Sequence, residues 1–426
     1  MGLASINAEL KKKFSKKNPD LVFDPSKQVE YVSSGNIIYD IVNHGGFPKK
    51  RITEIISHEH LGKTSLLMQT CALLQKQGLN SVFFDYEAAF DPNYALATYG
   101  LKVDMDTFTL YQPDTWDEGL DLFDELMSNI EEYKIPIALV CFDSIAMMKP
   151  KALIELTAED SAMVAIHARC VARMLDKVKV ACRQHDFAAV FTNQFRATIK
   201  ANSYQPTQSY YAGGVNEIYT TPGGQAPRYY SSVRVKLDYG GRDDDKTASD
   251  KLTGEVGKAK TGKVVKIVNI KNRLGRPELM GLTHFVYPDP DLNIKGGWDK
   301  GLDIVEILKK RGRMYQKGTK LTYNGLNIPE WTSIGSAQGN LEKFFNDRKA
   351  MKDAEELLLK LTSGGGQGAA DMAKLGVDYD DSDVQGQDEP MPEEDTDEPK
   401  SRKKKGKIEL EMEEGESSQP IRNITL

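Results

Sequence analysis

The stretch Arg51 to Ser65, RITEIISHEHLGKTS, constrains this chain more than any other. An apolar, β-branched run from Ile52 to Ile56 stops at Ser57. A short polar loop follows, and Gly62-Lys63-Thr64 opens the apolar run Leu66-Leu67-Met68. Strand, loop ending in Gly-Lys-Thr, then helix is the context that a phosphate-binding loop requires. In such a loop the backbone amides and the helix N-terminus point at phosphate oxygens, whose charge the helix dipole favours. The candidate nucleotide contacts are therefore Ser57, His58, Glu59, His60, Leu61, Gly62, Lys63, Thr64 and Ser65. Lys63 is expected between the β- and γ-phosphates and the Thr64 hydroxyl on Mg²⁺. The usual pattern begins with glycine, and Ser57 stands there instead. A non-glycine at that point must still let the backbone approach the β-phosphate closely.

Three strand ends extend the reading. The second strand ends in Phe83-Phe84-Asp85-Tyr86-Glu87. A carboxylate at the tip of a strand beside the loop strand faces the ligand crevice. Glu87 there is either an acid that polarises an attacking water or an ordinary strand-end acid. The hydrophobic strand Ile135 to Phe142 ends at Asp143-Ser144, about 80 residues after the loop. That spacing, across two helix–strand units, favours Asp143 as the acid that holds Mg²⁺ opposite Thr64. A buried strand that happens to end in aspartate is the plainer alternative. The strand Phe187 to Thr192 runs into Asn193-Gln194, an amide placed to sense a γ-phosphate.

The chain of 426 residues has room for one large domain or two with appendages. Its apolar fraction of 40% suffices for a core, and its net charge of −6 fits a soluble protein. Cys71, Cys141, Cys170 and Cys182 are scattered, which argues against a zinc site or disulfide framework and fits a reducing compartment. The N-terminus has no apolar core of signal-peptide length, and the longest apolar run is too short to span a bilayer. The expectation is a cytoplasmic protein (host cytoplasm if viral) with no membrane partner.

Residues 1–30 are basic and read as a solvated helical arm, an oligomerisation arm or a DNA contact. Residues 31–290 alternate strands and helices. The expected strands are 52–56, 81–86, 136–142, 187–192, 231–238, 263–271 and 279–286, and the expected long helices 63–78, 115–131 and 161–184. This predicts an α/β core with a mostly parallel sheet and a β-rich end. Two polar stretches, 196–226 and 240–262, read as loops, the first long enough to be functional. Residues 291–361 read as a small α/β domain with helices Gly301 to Arg311 and Leu341 to Leu361 around short strands near Tyr315 and Leu321. From Asp371 to Glu398 there are twelve acidic residues and one lysine, and the tail 362–426 is expected to be disordered.

The collinear order of SSGN (Ser33 to Asn36), the phosphate loop, FFDYEAAFDPNYA (Phe83 to Ala95), QPDT (Gln112 to Thr115), FDS (Phe142 to Ser144), TNQFR (Thr192 to Arg196), GGQA (Gly223 to Ala226) and IKNRLGRP (Ile270 to Pro277) resembles the RecA family of strand-exchange recombinases. The resemblance covers roughly residues 31–360. It implies a RecA-like ATPase that uses ATP and Mg²⁺, forms helical homopolymers on single-stranded DNA and exchanges strands with double-stranded DNA. Candidate further partners are a single-strand-binding protein and a recombination mediator. By position, the resemblance makes Glu87 the catalytic glutamate, with Lys63 also catalytic. Asp91 and Tyr94 become adenine contacts, and Gln194 the coupler between ATP and the DNA loop. Lys271 and Arg273 match a basic pair that reaches the phosphates of the neighbouring subunit.

Two DNA loops are implied, residues 155–163 and 195–223. The candidate contacts are Met163, Arg169, Phe195, Arg196, Lys200, Tyr204, Tyr210, Tyr211, Gly223 and Gly224, where aromatics and cations suit stacking and phosphate neutralisation. For the tyrosines the plainer reading is a polar loop without specific contacts. Lys263 and Lys266, with Arg242, are candidates for a weaker duplex site. Ser57 and the crowding by His58, Glu59 and His60 put nucleotide affinity and turnover in question more than the fold. Those departures and the long 195–223 segment suggest a bacteriophage or otherwise distant member. The acidic tail reads either as a competitor of DNA phosphates or as a solubilising segment. The residues alone also admit another motor of the same fold, such as a hexameric helicase, or an ATP-binding filament protein without turnover.

Overall fold

The computed structural model describes residues 2–14, 28–154, 163–197, 219–241, 245–249, 256–260, 262–288, 296–301, 303, 314–317, 320–323 and 326–328. In chain order the elements begin with α1 (Leu3–Phe14), β1 (Tyr31–Val32), α2 (Ile37–Val42), β2 (Phe47–Pro48), β3 (Ile52–Ser57), α3 (Lys63–Lys76), β4 (Ser81–Asp85), α4 (Pro92–Tyr99) and β5 (Phe108–Tyr111). They continue with α5 (Trp116–Tyr133), β6 (Leu139–Asp143), α6 (Lys151–Ile154), α7 (Met163–Gln184), β7 (Ala188–Gln194), β8 (Arg196–Ala197), β9 (Tyr219–Thr220), α8 (Ala226–Tyr230) and β10 (Val233–Tyr239). The remainder is β11 (Asp245–Ser249), β12 (Val256–Lys260), β13 (Gly262–Asn272), β14 (Met280–Val286), β15 (Gly297–Trp298), β16 (Met314–Lys317), β17 (Lys320–Tyr323) and β18 (Leu326–Ile328).

The central sheet has nine strands in the order β15-β14-β13-β10-β3-β7-β6-β4-β5. From β10 to β5 all neighbours are parallel, and β13, β14 and β15 extend the sheet antiparallel. This is the expected α/β core with a β-rich end. Strands β3 and β6 are buried along their whole length, as a parallel strand covered on both faces must be.

Each face has its own core. Ile55, Phe83, Cys141 and Val190 pack against α3 through Leu67, Cys71 and Leu74. Phe84, Phe142 and Phe191 pack against α5 and α7 through Leu120, Phe123, Leu175 and Val178. Helix α5 starts at a capping box, in which the Thr115 side chain accepts from Glu118 N and Glu118 reaches back to the cap amide. Phe84 stacks on Phe142 at 4.9 Å, and Phe142 on Phe191 at 4.4 Å. This ladder crosses β4, β6 and β7 one residue before Asp85, Asp143 and Thr192, so it fixes the lateral spacing of those three residues.

The Ser33–Asn36 turn stitches three elements together. Asp40 accepts from Ser33 Oγ at 2.5 Å, Ser34 N at 2.9 Å and Ser34 Oγ at 2.6 Å. Asn36 caps α2 through Tyr39 N and donates to Thr283 Oγ1 on β14 at 2.9 Å. Thr70 of α3 donates to Ser34 O at 3.1 Å. Burial pushes the Asp40 carboxyl up to about 6, against the hydrogen bonds from Ser33 and Ser34.

The stretch expected as a polar loop, 240–262, contains the antiparallel pair β11–β12, and its last residue starts β13. The expected C-terminal strands form a three-stranded antiparallel sheet, β16-β17-β18. Its expected helices lie outside the described residues except for 301 and 303, as does the tail 362–426. Among the described residues no helix is long and apolar enough to cross a membrane.

Phe142→Ala is expected to lower the unfolding free energy by ~3–5 kcal/mol, measured by urea denaturation, because it opens a cavity in the middle of the ladder. Asp40 supplies a pH test. Its folded pKa of about 6 lies above the ordinary carboxyl value of about 3.9, so the folded state binds the extra proton. The stability that Asp40 contributes is present below the lower value and is lost as pH rises to the upper one. Asp40→Asn removes this titration. The variant should therefore gain on wild type as pH rises through that window and hold a constant difference above it.

Candidate active site

Four neighbouring strands, β3, β7, β6 and β4, end side by side at one edge of the sheet. In register, Ser57 lies beside Gln194, and Asp85 beside Asp143. The carboxyl ends of parallel strands are where ligands bind in open α/β sheets.

The loop after β3 closes on Gly62, the N-cap of α3, whose φ of 85° requires glycine. A Cβ there would also stand 2.7 Å from the Trp298 ring. Ser57 keeps strand geometry and pairs with both Gln194 and Leu237, so the backbone at the first position of the motif makes no left-handed turn. Its hydroxyl donates to His58 O at 2.5 Å and accepts from Lys63 Nζ at 2.8 Å. Lys63 Nζ also donates to His58 O at 3.2 Å. Burial pulls the Lys63 pKa down, opposed by the charges of Asp143, Glu87 and Glu59. Leu61 is fully buried, while Glu59 and His60 are exposed. Ser65 sits in the first turn of α3.

Thr64 Oγ1 donates to Asp143 Oδ2 at 2.5 Å, and Thr192 Oγ1 donates to Asp143 Oδ1. Burial pushes the Asp143 carboxyl up to about 6, against both hydroxyl donors. A hydroxyl and a carboxylate meeting beside a phosphate loop are hard oxygen donors of the kind Mg²⁺ takes together with substrate phosphates. Among the described residues no group of three or more His, Cys, Asp or Glu gathers to hold a metal ion.

Glu87 faces the same space. Its Oε1 accepts from Ser144 Oγ at 2.5 Å and from Gln194 Nε2 at 2.9 Å. Asp85, which the sequence did not single out, holds the turn beneath it. It accepts from Glu87 N at 3.2 Å, Phe90 N at 2.9 Å and Gln112 Nε2 at 3.0 Å. Asp91 caps α4 by accepting from Asn93 N and Tyr94 N at 2.8 and 3.2 Å. Tyr94 is half-buried and edge-on to Tyr99, with ring centroids 6.1 Å apart.

Lys271 and Arg273 leave the sheet at the other edge. Lys271 pairs with Arg234, and Val233 beside it pairs with Thr53 at the start of β3, whereas the phosphate loop follows the end of β3. Lys271 Nζ donates to Arg228 O at 2.5 Å and Ser231 O at 2.7 Å. Its pKa is pulled down to about 8 by burial, then by neighbouring arginines. Arg273 lines a pocket of about 600 Å³ together with Lys50, Arg51, Lys179 and Arg183.

A buried pair missed by the sequence reading ties these edges together. Glu54 accepts from Arg234 Nε at 2.5 Å and Asn193 Nδ2 at 2.9 Å. An acid inside the apolar run of β3 was the available signal, because a buried charge needs a partner.

Of the proposed DNA contacts, Lys200, Tyr204, Tyr210 and Tyr211 lie outside the described residues, as do residues 155–162. Met163 begins α7, and Arg169 is exposed on that helix, donating to Ala165 O at 3.4 Å. Phe195 packs on His58 of the phosphate loop with centroids 5.1 Å apart, and Lys236 Nζ lies 5.6 Å from its ring. Arg196 is exposed on β8, which pairs with β9 and so brings both ends of the long segment together. Asn193 Nδ2 also donates to Pro222 O at 3.1 Å. Gly223 and Gly224 have φ of 93° and 66° and lie against Val171 and Ala168 of α7.

Residues 3–287 match the RecA N-terminal domain family. The chain is 30% identical over 345 residues to Protein RecA of Mesomycoplasma hyopneumoniae, an overlap of 80% of this chain and 91% of the relative. It is 31% identical over 328 residues to Protein RecA of Streptococcus mutans, covering 77% and 75% of the two chains. With Protein RecA of Streptococcus pyogenes the identity is 30% over 339 residues, 79% of each. The sheet with its four aligned strand tips and these matches agree, and the chain belongs to the RecA family.

Proposed function

We propose that this RecA-type recombination protein hydrolyses ATP between stacked copies, polymerises on single-stranded DNA and exchanges strands with homologous duplex. One observation carries the reading furthest. Lys63, Thr64, Asp143, Glu87 and Gln194 converge at one edge of the sheet, while Lys271 and Arg273 stand at the opposite edge. A single copy cannot bring these two halves together. Head-to-tail stacking can, and cations supplied across an interface stabilise charge in phosphoryl transfer. The apolar positions Leu3, Ile6 and Leu10 of α1, exposed at helical spacing, support a contact of the arm with a neighbouring copy.

Within the site, Lys63 neutralises charge on the β- and γ-phosphates. Thr64 and Asp143 would hold Mg²⁺, which when bound offsets phosphate charge. Glu87 accepts a proton from, or orients, the attacking water, with Ser144 and Gln194 fixing its carboxylate. Asp91 and Tyr94 lie on the side assigned to the base. Gln194 immediately precedes Phe195, and Phe195 touches His58. The phosphate loop and the start of the 195–223 segment therefore share a contact that nucleotide binding would bias. Arg169, Arg196, Gly223 and Gly224 stand at the borders of the DNA surface, and the remaining aromatics and Lys200 belong to the segment between.

Glu87→Gln should retain ATP and single-stranded DNA binding and lose about 10²–10⁴-fold in turnover. Arg273→Ala should also retain nucleotide binding while hydrolysis stimulated by DNA collapses. Turnover unchanged in Glu87→Gln would remove it from the catalytic role. Electron microscopy with ATP and single-stranded DNA should show helical filaments, and closed rings would instead point to a motor of another kind. A D-loop assay should give joint molecules with homologous duplex and none with heterologous duplex.

A further inference from the structure

Lys263 stands on β13, two strands from the strand that carries the phosphate loop. The alternation along β13 sets its direction, since Lys263, Val265 and Ile267 are buried while Val264 and Lys266 are half-buried. Lys263 thus lies in phase with the apolar face, although its charge alone suggests a surface contact to DNA. It is 8% exposed. Its Nζ donates to the backbone carbonyl of His60 in the phosphate loop and lies 5.0 Å from the Phe285 ring and 5.5 Å from the Tyr287 ring.

Trp298 packs edge-to-face on Phe285 at 5.1 Å and covers Gly62, so the same cluster braces the loop at two points. His60 has φ of 59°, a left-handed conformation that a residue with a side chain holds only when its surroundings fix it. The C=O and N–H of a trans peptide point to opposite sides. A cation on the His60 carbonyl polarises that peptide and makes the Leu61 N–H on its other side a stronger donor. A lysine taken out of water also needs such partners itself, and the two ring faces and the carbonyl supply them.

We propose that Lys263 is a positioning residue for ATP binding. It fixes the His60 peptide so that the phosphate loop presents its amides to the triphosphate. The inference rests on the nucleotide site described above and adds a residue from outside the motif.

The test uses the full chain and a fluorescent ATP analogue, titrated without DNA. Lys263→Met keeps the stem and removes the charge, and Lys263→Arg restores a donor. Lys263→Met should weaken analogue binding about tenfold, the size of a charge-assisted hydrogen bond. The KM for ATP should rise in step while kcat at saturation stays within a small factor, and Lys263→Arg should recover most of the loss. Should Lys263→Met fail to fold, Lys263→Gln keeps a neutral donor and should show the same effect at smaller size. Unchanged analogue affinity in a folded variant would overturn the proposal. So would a variant that loses only duplex binding, which would return Lys263 to a DNA surface. Wild-type protein that binds no ATP would instead overturn the nucleotide site itself.

Discussion

The Asp143 carboxylate is the point on which the site depends. It ends β6, accepts from Thr64 at the start of α3, and accepts from Thr192 on β7. Two hydroxyls thereby join the phosphate-loop helix to two strands of the sheet. Only 2% of Asp143 is exposed, and its ionisation costs energy that two neutral donors offset in part. Each hydrogen bond to a charged group contributes roughly 1.5–3 kcal/mol. Burial still raises the carboxyl to about 6. A group in that condition gains from any cation brought to it.

The aromatic ladder explains why this arrangement is stable. Phe84, Phe142 and Phe191 occupy one face of three adjacent strands and stack nearly parallel, with interplanar angles of 12° and 8°. The next residue on each strand is polar: Asp85, Asp143 and Thr192. Core packing therefore sets the distances between Asp85, Asp143 and Thr192 before any ligand arrives. The antiparallel turn from β10 to β13 then sends Lys271 and Arg273 to the far edge. The same sheet therefore carries the phosphate-loop residues at one edge and the Lys271–Arg273 pair at the other.

Much of this was legible in the sequence, for definite reasons. The strands β3, β6 and β7 are largely apolar because both faces are covered, and helices α3, α5 and α7 are long enough to show their period. The ends of β6 and β7 at Asp143 and Gln194 are legible for that reason, and Glu87 lies just beyond β4. The short elements were not legible. β5 is a half-buried edge strand of four residues, and α4 owes its start to the Asp91 cap rather than to an apolar stripe. The β11–β12 pair consists of segments such as Asp245–Ser249 and Val256–Lys260, whose residues are mostly polar or small and carry no alternation. Asp85 was overlooked because its partners, Gln112 and the turn amides, are set by tertiary contact.

The substitution at Ser57 shows how far a motif can be separated from the geometry it encodes. Glycine is needed where the backbone turns left-handed or where another group presses close. In this loop both conditions fall on Gly62, and Ser57 has no left-handed backbone. At Ser57 the chain is still strand, so a side chain is tolerated, and its hydroxyl takes part by holding Lys63. The crowding residues that follow are likewise absorbed from outside. His58 rests on Phe195, and the His60 carbonyl is held by Lys263. The loop keeps its shape through contacts supplied by β13, β15 and the residue after β7, elements distant in sequence. The support of this loop therefore comes from elements that the motif itself does not contain.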